Sequence, residues 1–531
     1  MSDNQSVLQL QPVQAAMAEL ADLDAVSSLY HRDPALWTRS PGAQQSIVER
    51  FGWLDVVGGF PEWREQLPAF AREVRASGLD RVLLAGMGGS SLAPELFARV
   101  FAGQTDGAAL TVLDSTHPVA VARALDPADL TTTLVLVSSK SGGTEETRAF
   151  AARAGAVVPD HRHLAAITDG GSALETQARD EGWRAVWTNR ADIGGRYSAL
   201  SMFGMLPAAL LGVDIDRVWA SGAAMNARCT PSVPLAGNPA AQLAAFMGGL
   251  ARTGRDKLTL LLPDALASLG DWVEQLVAES TGKDGVGVVP VVGESLGAPE
   301  AYGEDRAFVV CTLAGAGPDA GALAAAGHPV LTLDLTDRED VGGAFVQWEI
   351  ATALAGALLG VNPFDEPNVT ESKTNTRAVL AEAAGGALPE PEQGDVAGLL
   401  TGLEPGDYLS LQAYLPPGPD WAAPLAALRE LVRARTTVAT TFGWGPRFLH
   451  STGQLHKGGP ATVAALQIVD APTGGPDVPG RHYDFATLVR AQAVGDLRSL
   501  RDHRRRAVQY AVSGPDDLTR LVERARTALG S

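Results

Sequence analysis

The stretch from Ser138 to Thr147 reads Ser-Ser-Lys-Ser-Gly-Gly-Thr-Glu-Glu-Thr, directly after a strand-like run, Thr133–Val137. A glycine-rich turn that opens a helix leaves backbone N–H groups unpaired, and the helix dipole there favours negative charge. With hydroxyls at Ser139, Ser141, Thr144 and Thr147 and the ammonium of Lys140, it forms a compact donor set for a phosphate dianion. Ordinary N-capping accounts for one such hydroxyl, not four. A second glycine turn, Gly86-Met87-Gly88-Gly89-Ser90-Ser91, follows the strand-like Arg81–Ala85 and adds Gly89 and Ser90 as weaker candidates. No lysine followed by Ser or Thr comes after either glycine run, which disfavours nucleotide hydrolysis. There is no HExxH, no clustered Cys/His set and no EF-hand loop, so neither a metal nor another cofactor is expected.

The hydroxyl-rich stretch resembles the SxSGxTxET signature of sugar isomerase domains, which bind phosphorylated sugars. Asp192-Ile193-Gly194-Gly195-Arg196-Tyr197-Ser198 is similar to the DxGGRYS signature of phosphoglucose isomerases. Gln275 precedes Glu279-Ser280-Thr281-Gly282-Lys283 by four residues, as that family's Gln precedes its ESxGK segment. Asn362 to Lys373 resembles the family's NxFDQxGVExxK, with Glu366 and Asn368 in place of the usual Gln and Gly. Leu449-His450-Ser451-Thr452-Gly453-Gln454 resembles the LHSLGQ segment of short bacterial forms.

The resemblance implies reversible interconversion of glucose 6-phosphate and fructose 6-phosphate, a reaction that needs no redox cofactor. A carboxylate must carry a proton between adjacent carbons, and burial raises its pKa toward the working pH. Glu279 takes that role by resemblance. The cis-enediol(ate) calls for a fixed positive charge, which suits Arg196. Opening a cyclic sugar needs a donor and an acceptor of protons, assigned to His450 and Lys373. Ser90, Ser139, Ser141 and Thr144 hold the phosphate, with Gly89, Lys140, Thr147 and Gln275 as further substrate contacts. His117, His328 and His456 read as structural. A dual phosphoglucose/phosphomannose isomerase and a non-catalytic sugar-phosphate sensor remain alternatives.

The chain departs from the family in its order. The histidine segment ordinarily lies between the glutamate and lysine segments; here the order is Glu279, Lys373, His450. This order resembles the isomerase half of transaldolase–phosphoglucose isomerase fusion proteins, without a transaldolase barrel, for which the first ~75 residues are too few. In the family this histidine typically arrives from the neighbouring subunit. The sequence leaves open whether His450 acts in its own chain or across a homodimer.

The elements that must position these residues follow from pattern and composition. From about Asp80, short β-branched or leucine runs alternate with Ala-rich helical stretches, the signature of βαβ units and buried parallel sheets. A second series runs through Leu258–Leu262, Gly287–Val292, Ala307–Thr312 and Pro329–Leu335. The expected fold is α/β: an N-terminal helical segment (1–75) with Trp37, Trp53 and Trp63 as core anchors, then two doubly wound sugar-isomerase-type domains (76–235 and 236–384). A C-terminal α/β segment (385–531) carries His450. It is entered through the surface connection Gly385–Gly398 and has strands at Tyr408–Tyr414, Thr436–Thr441 and Thr462–Val469, with helices at Pro424–Arg435 and from Phe485.

The 531 residues are 46% hydrophobic and 19% charged, enough apolar material for large cores. With 42 basic and 61 acidic side chains the formal charge is -19, against a nucleic-acid or anionic-membrane partner. The arginine-rich stretch Arg498–Arg506 reads as a solvated helix face. The apolar stretch Ala344–Phe364 contains Gln347 and Glu349 and reads as a buried helix rather than a membrane span. Two distant cysteines and the lack of a signal-like N-terminus point to the cytoplasm.

Overall fold

The computed structural model describes residues 4–385 and 388–530, with the side chains at 369, 370, 372, 373, 384 and 385 outside the description. Among the described residues, apolar runs too short for helices form thirteen strands in three separate parallel sheets. The first sheet comprises β1 (Arg81–Gly86), β2 (Ala109–Leu113), β3 (Thr133–Ser138), β4 (Leu164–Asp169) and β5 (Ala185–Asn189), ordered β2-β1-β3-β4-β5. The second comprises β6 (Lys257–Leu261), β7 (Val289–Val291), β8 (Arg306–Leu313) and β9 (Val330–Leu335), ordered β7-β6-β8-β9. The C-terminal part builds a sheet of its own from β10 (Tyr408–Tyr414), β11 (Ala439–Trp444), β12 (Val463–Val469) and β13 (Arg506–Ala511), ordered β11-β10-β12-β13.

In all three sheets the strand order reverses beside the first strand in sequence. That reversal opens a crevice at the carboxyl ends of the strands, where loops diverge to opposite faces. Both phosphate-type turns leave the first sheet there, from β1 and β3, whose registers end on Gly86 opposite Ser138.

The N-terminal helices do not form a core of their own. Helix Gln11–Asp22 packs on helix Pro239–Ala251, and the indole N–H of Trp37 donates to the Ala353 carbonyl at 2.8 Å. Trp37, Trp53 and Trp63 are all buried. Trp37 and Phe51 pack on Phe364 with ring centroids 5.1 and 5.5 Å away, and Tyr197 lies 5.3 Å from Phe364 and 5.1 Å from Trp53. This aromatic cluster joins the N-terminal segment to the turns carrying Arg196 and Glu366, each pair adding roughly 0.5–1.5 kcal/mol beyond area burial.

The apolar stretch expected as a buried helix is helix Val341–Leu359, packed against helices Ile215–Cys229, Pro239–Ala251 and Ala267–Thr281. Among the described residues, the stretch Arg338–Leu359 is the one long and apolar enough to cross a membrane, and it lies almost wholly inside the fold. Burial pushes the Glu349 carboxyl well above the usual carboxylate range.

Three sequence expectations need correction. The strand placed at Thr436–Thr441 begins at Ala439, because helix Pro419–Thr436 ends in a left-handed Thr437 (φ 61°) before the chain turns into the sheet. The arginine-rich stretch is only partly a solvated helix face. Arg498 and Arg501 pair with Glu382 and Glu392, but helix Phe485–Asp502 ends before Arg505, which donates to the Lys457 and Gly459 carbonyls. Arg506 then opens β13, which the sequence did not reveal. The connection Gly385–Gly398 includes residues 386 and 387, outside the description; its later part runs beside β13, with the Gly394 N–H donating to the Gln509 carbonyl at 2.9 Å.

Candidate active site

The turn after β1 and the turn before Arg196 touch backbone to backbone. A Cβ on Gly89 would stand 2.0 Å from the Gly195 carbonyl oxygen, so only glycine permits this approach. Gly88 has φ +54°, and a Cβ there would lie 2.7 Å from the His450 carbonyl and 2.9 Å from the Gln275 amide nitrogen. Four distant chain segments therefore meet at one pair of glycines.

Around this junction lies a cleft of about 300 Å³, within the range of small-molecule sites. Its wall includes Gly89, Ser90, Ser139, Lys140, Ser141, Thr144, Thr147, Arg196, Gln275, Glu279 and His450. Of the sequence-derived candidates, only Lys373 is not among them: it falls on helix Pro367–Gly385 with its side chain outside the described residues.

The hydroxyl turn ends at helix Glu145–Val157. Thr144 occupies the N-cap position but its side chain makes no capping bond, so ordinary capping does not use this hydroxyl. The Ser141 hydroxyl accepts from the Gly143 N–H at 3.2 Å. Lys140 is held at the wall by Asp169 and by donation to the Ala191 carbonyl at 2.8 Å. Ser138 Oγ and Gln275 Oε1, buried beside the cleft, have no hydrogen-bond partner among the described residues. Buried polar atoms seldom stay unpaired, and a polar ligand would satisfy such groups.

Glu279 sits near the C-terminus of helix Ala267–Thr281, almost fully buried. Burial raises its carboxyl pKa, and the nearby Glu366 pushes the same way, against the opposing pull of Arg196 and Gln275. Its position at a helix C-terminus, where the dipole is negative, also favours the protonated form. Arg196 spreads its donors over several partners. Nε donates to Ser280 Oγ (2.8 Å), Nη2 to the carbonyls of Pro363 (2.7 Å) and Asp365 (2.9 Å), and Nη1 to Glu366 (3.0 Å), with Glu279 at 3.4 Å. This buried cation is pinned by backbone and still faces two carboxylates.

One amide connects the base to the histidine. Gln275 Nε2 lies 3.0 Å from Glu279 Oε2 and 2.8 Å from the His450 carbonyl oxygen. His450 rides on the turn Arg447–His450 that follows β11, and its Nε2 is 3.0 Å from Glu146 Oε1. The same chain thus supplies Glu279 and His450 to one cleft. Glu146 in turn accepts from the Gln492 amide at 2.6 Å.

Several contributors escaped the sequence reading. Glu146 belongs to the phosphate motif but serves as the imidazole's partner. Glu366 approaches Arg196 as closely as a direct ion pair. Lys283 donates to the Asp365 carboxylate at 2.7 Å and also bonds the Asn362 carbonyl, bracing the turn that holds Glu366; burial lowers its pKa to about 8. Asn368, the departure from the family's Gly, exchanges two hydrogen bonds with Gln454 at 2.9 and 2.8 Å. Arg50, from the N-terminal segment, completes the wall. The motif alignments held clues to Glu366 and Asn368 as substitutions; nothing local pointed to Arg50.

The remaining histidines have structural settings. His117 Nδ1 accepts from the Val119 N–H and Nε2 lies 3.0 Å from Asp470. His328 packs edge-on against Phe308, and burial depresses His456 to about 3 between Ser410 and Gln412.

Residues 55–305 match the family model for phosphoglucose isomerase. The matched stretch, a little under half of the chain, is similar to that family. The chain is 37% identical over 264 residues to a glucose-6-phosphate isomerase of Synechococcus sp. (strain JA-3-3Ab), spanning 46% of this chain and 48% of that relative. The chain thus spans about half the length of that curated relative. A glucose-6-phosphate isomerase of Synechococcus elongatus is 29% identical over 442 residues, 71% of this chain and 82% of its own. Among solved structures, a hypothetical protein from Thermus thermophilus superposes with TM-score 0.59 at 26% identity, covering 70% of this chain and 98% of that one. The fold is of the sugar-isomerase type found in this family.

The hydroxyl turn should bind inorganic phosphate. Removing one donor to a charged ligand costs roughly 1.5–3 kcal/mol, so Ser139→Ala should weaken phosphate at least about tenfold by calorimetric titration. Unchanged affinity would remove Ser139 from the cradle.

Proposed function

We propose that this protein is a glucose-6-phosphate isomerase acting in one cleft assembled from a single chain. The observation that carries the reading is the buried Glu279 carboxylate, facing a fixed guanidinium at 3.4 Å in the same cleft as a hydroxyl-rich helix start. A binding protein would need the cradle but not a desolvated base.

In this reading the phosphate rests on Ser90, Ser139, Ser141 and Thr144, with Gly89, Lys140 and Thr147 completing the cradle. His450 and Lys373 move the protons that open the ring, one to the ring oxygen and one from the anomeric hydroxyl. Glu146 holds the imidazole through Nε2. Glu279 then removes the proton from C2. The C–H bonding pair becomes the C1=C2 bond of the enediolate while the aldehyde oxygen gains a proton. The C2 hydroxyl then gives up its proton, offsetting the one gained at the C1 oxygen. Return of the carried proton to C1 through the C1=C2 pair leaves a ketone at C2, with no net exchange of protons or electrons with any other molecule. Arg196 stabilises the negative oxygen during the transfer, a contribution of about 3 kcal/mol for donors of this kind. Gln275 keeps Glu279 aligned.

The proposal includes a cytoplasmic setting, which suits a phosphorylated substrate and the two free, buried cysteines. It also includes functional units bounded near residues 75, 235 and 384, and a site that needs no residue from a second subunit of a homodimer.

A positioned base contributes about 10²–10⁴-fold, so Glu279→Gln should lower the rate of fructose 6-phosphate formation by roughly 10³-fold in a coupled assay. Equal rates in the two proteins would remove Glu279 as the base, and no turnover in either would favour a sensor. Mannose 6-phosphate tested in parallel separates a dual isomerase from a glucose-specific one.

Glu366→Gln tests the electrostatics. The Glu366 charge raises the Glu279 pKa, and its removal also leaves Arg196 free to favour the ionised base. Both effects keep Glu279 deprotonated at lower pH. The acid limb of kcat/KM should therefore move to lower pH than in the wild type; a shift to higher pH would contradict the coupling.

A further inference from the structure

The turn that carries His450 is held again on the side away from the cleft. Arg447 stands three residues before His450 and does not line the site. Its Nη1 lies 2.5 Å from Glu95 Oε2 and 2.9 Å from Asp114 Oδ2, and its Nη2 lies 3.3 Å from Asp271 Oδ2. Glu95 is on helix Leu92–Val100 of the first sheet's layer, and Asp114 directly follows β2. Asp271 is on helix Ala267–Thr281, the helix of the base.

Asp271, Gln275 and Glu279 are spaced four apart, so they stand above one another on a single helix face. Two of them hold the same short turn, and Glu279 is joined to it through Gln275. Asp271 pairs with the Arg447 guanidinium, and Gln275 bonds both the His450 carbonyl and Glu279. We propose that Arg447 is a positioning residue, whose guanidinium sets the His450 imidazole in the cleft that Glu279 also lines by fastening the Arg447–His450 turn to the base's own helix and to the first sheet. This inference rests on the isomerase reading and names a further residue for that reaction.

The charge arrangement explains why an arginine is needed. The largely buried Glu95 and Asp114 and the partly exposed Asp271 converge on this guanidinium, with Arg99 on Glu95 and Glu274 beside Asp271. Burial pushes Asp114 up to about 6 and raises Asp271, even beside Arg447. Without the guanidinium, no cation bonds all three carboxylates at once, since Arg99 pairs with Glu95 alone, and repulsion would work against the packing of the two helices that the turn bridges. A planar fork reaches carboxylates in several directions at once, whereas a lysine ammonium is a point charge.

The test compares wild type, Arg447→Ala and Arg447→Lys on two reactions, one of a hexose 6-phosphate and one of a shorter sugar, and on one signal. Anomer exchange of the hexose, which needs ring opening, is measured by NMR exchange between the α and β forms. Proton exchange at C2 of an aldotetrose 4-phosphate, which cannot close a ring through its phosphorylated oxygen, reads the base alone. The signal is the His450 imidazole resonance in ¹³C-histidine-labelled protein, assigned with His450→Gln.

Arg447→Ala should slow anomer exchange by about 100-fold, the scale of one misplaced acid–base group, with tetrose exchange within about threefold and inorganic phosphate affinity unchanged. Arg447→Lys should recover part of the loss. The His450 resonance should move while that of His456, on the same segment, stays in place. Equal losses on both reactions, joint shifts of His450 and His456, or no change in the His450 resonance would each overturn the proposal. If the wild type turns over neither sugar, the isomerase reading fails, and the His450 signal still decides whether Arg447 positions that imidazole.

Discussion

The Gln275 amide, between the Glu279 carboxylate and the His450 carbonyl, is the contact on which the arrangement turns. Its nitrogen can reach both oxygens only if helix Ala267–Thr281 and the turn after β11 are packed at hydrogen-bond distance. The positive φ and missing side chain of Gly88 leave room for that junction. The chemistry of the site thus depends on a backbone constraint in a third segment, the loop after β1. Glu279 gains its basicity from burial in this junction, and the same burial makes each pairing error expensive.

The three sheets divide the work by their strand ends. The first presents the anion-binding turns at the reversal of its strand order, the second supplies the helix of the base, and the third sends His450 in from the end of β11. Buried cations connect the pieces. Arg196 spans the first and second units, Arg447 reaches from the third to both others, and Lys283 braces the turn bearing Glu366. In a chain whose net charge is -19, these few buried cations stand where carboxylates from separate segments would otherwise repel one another.

Much of this was legible in the sequence because the relevant information is local. The hydroxyls of Ser139, Ser141 and Thr144 are close neighbours, and Gln275 and Glu279 are one helical turn apart, so type and spacing reveal them. Strand β3, buried on both faces, reads as a continuous apolar run. What was not legible depends on distant segments meeting. Glu146 lies 304 residues from His450 and Glu366 lies 170 from Arg196. Whether His450 acts within its own chain could not be read from motif order. β13 was missed because this short, partly exposed strand follows an arginine run that resembles a helix face. Thr437 shifted β11 because a left-handed threonine has no sequence signature of its own.

The central claim is that every essential side chain comes from one polypeptide. Inactive Glu279→Gln and His450→Gln chains, unfolded together and refolded as a mixture, test it most directly. Activity no greater than the sum of the two variants refolded separately is the expected result. Recovery well above that sum would mean that His450 is exchanged between subunits, and the single-chain site would be wrong.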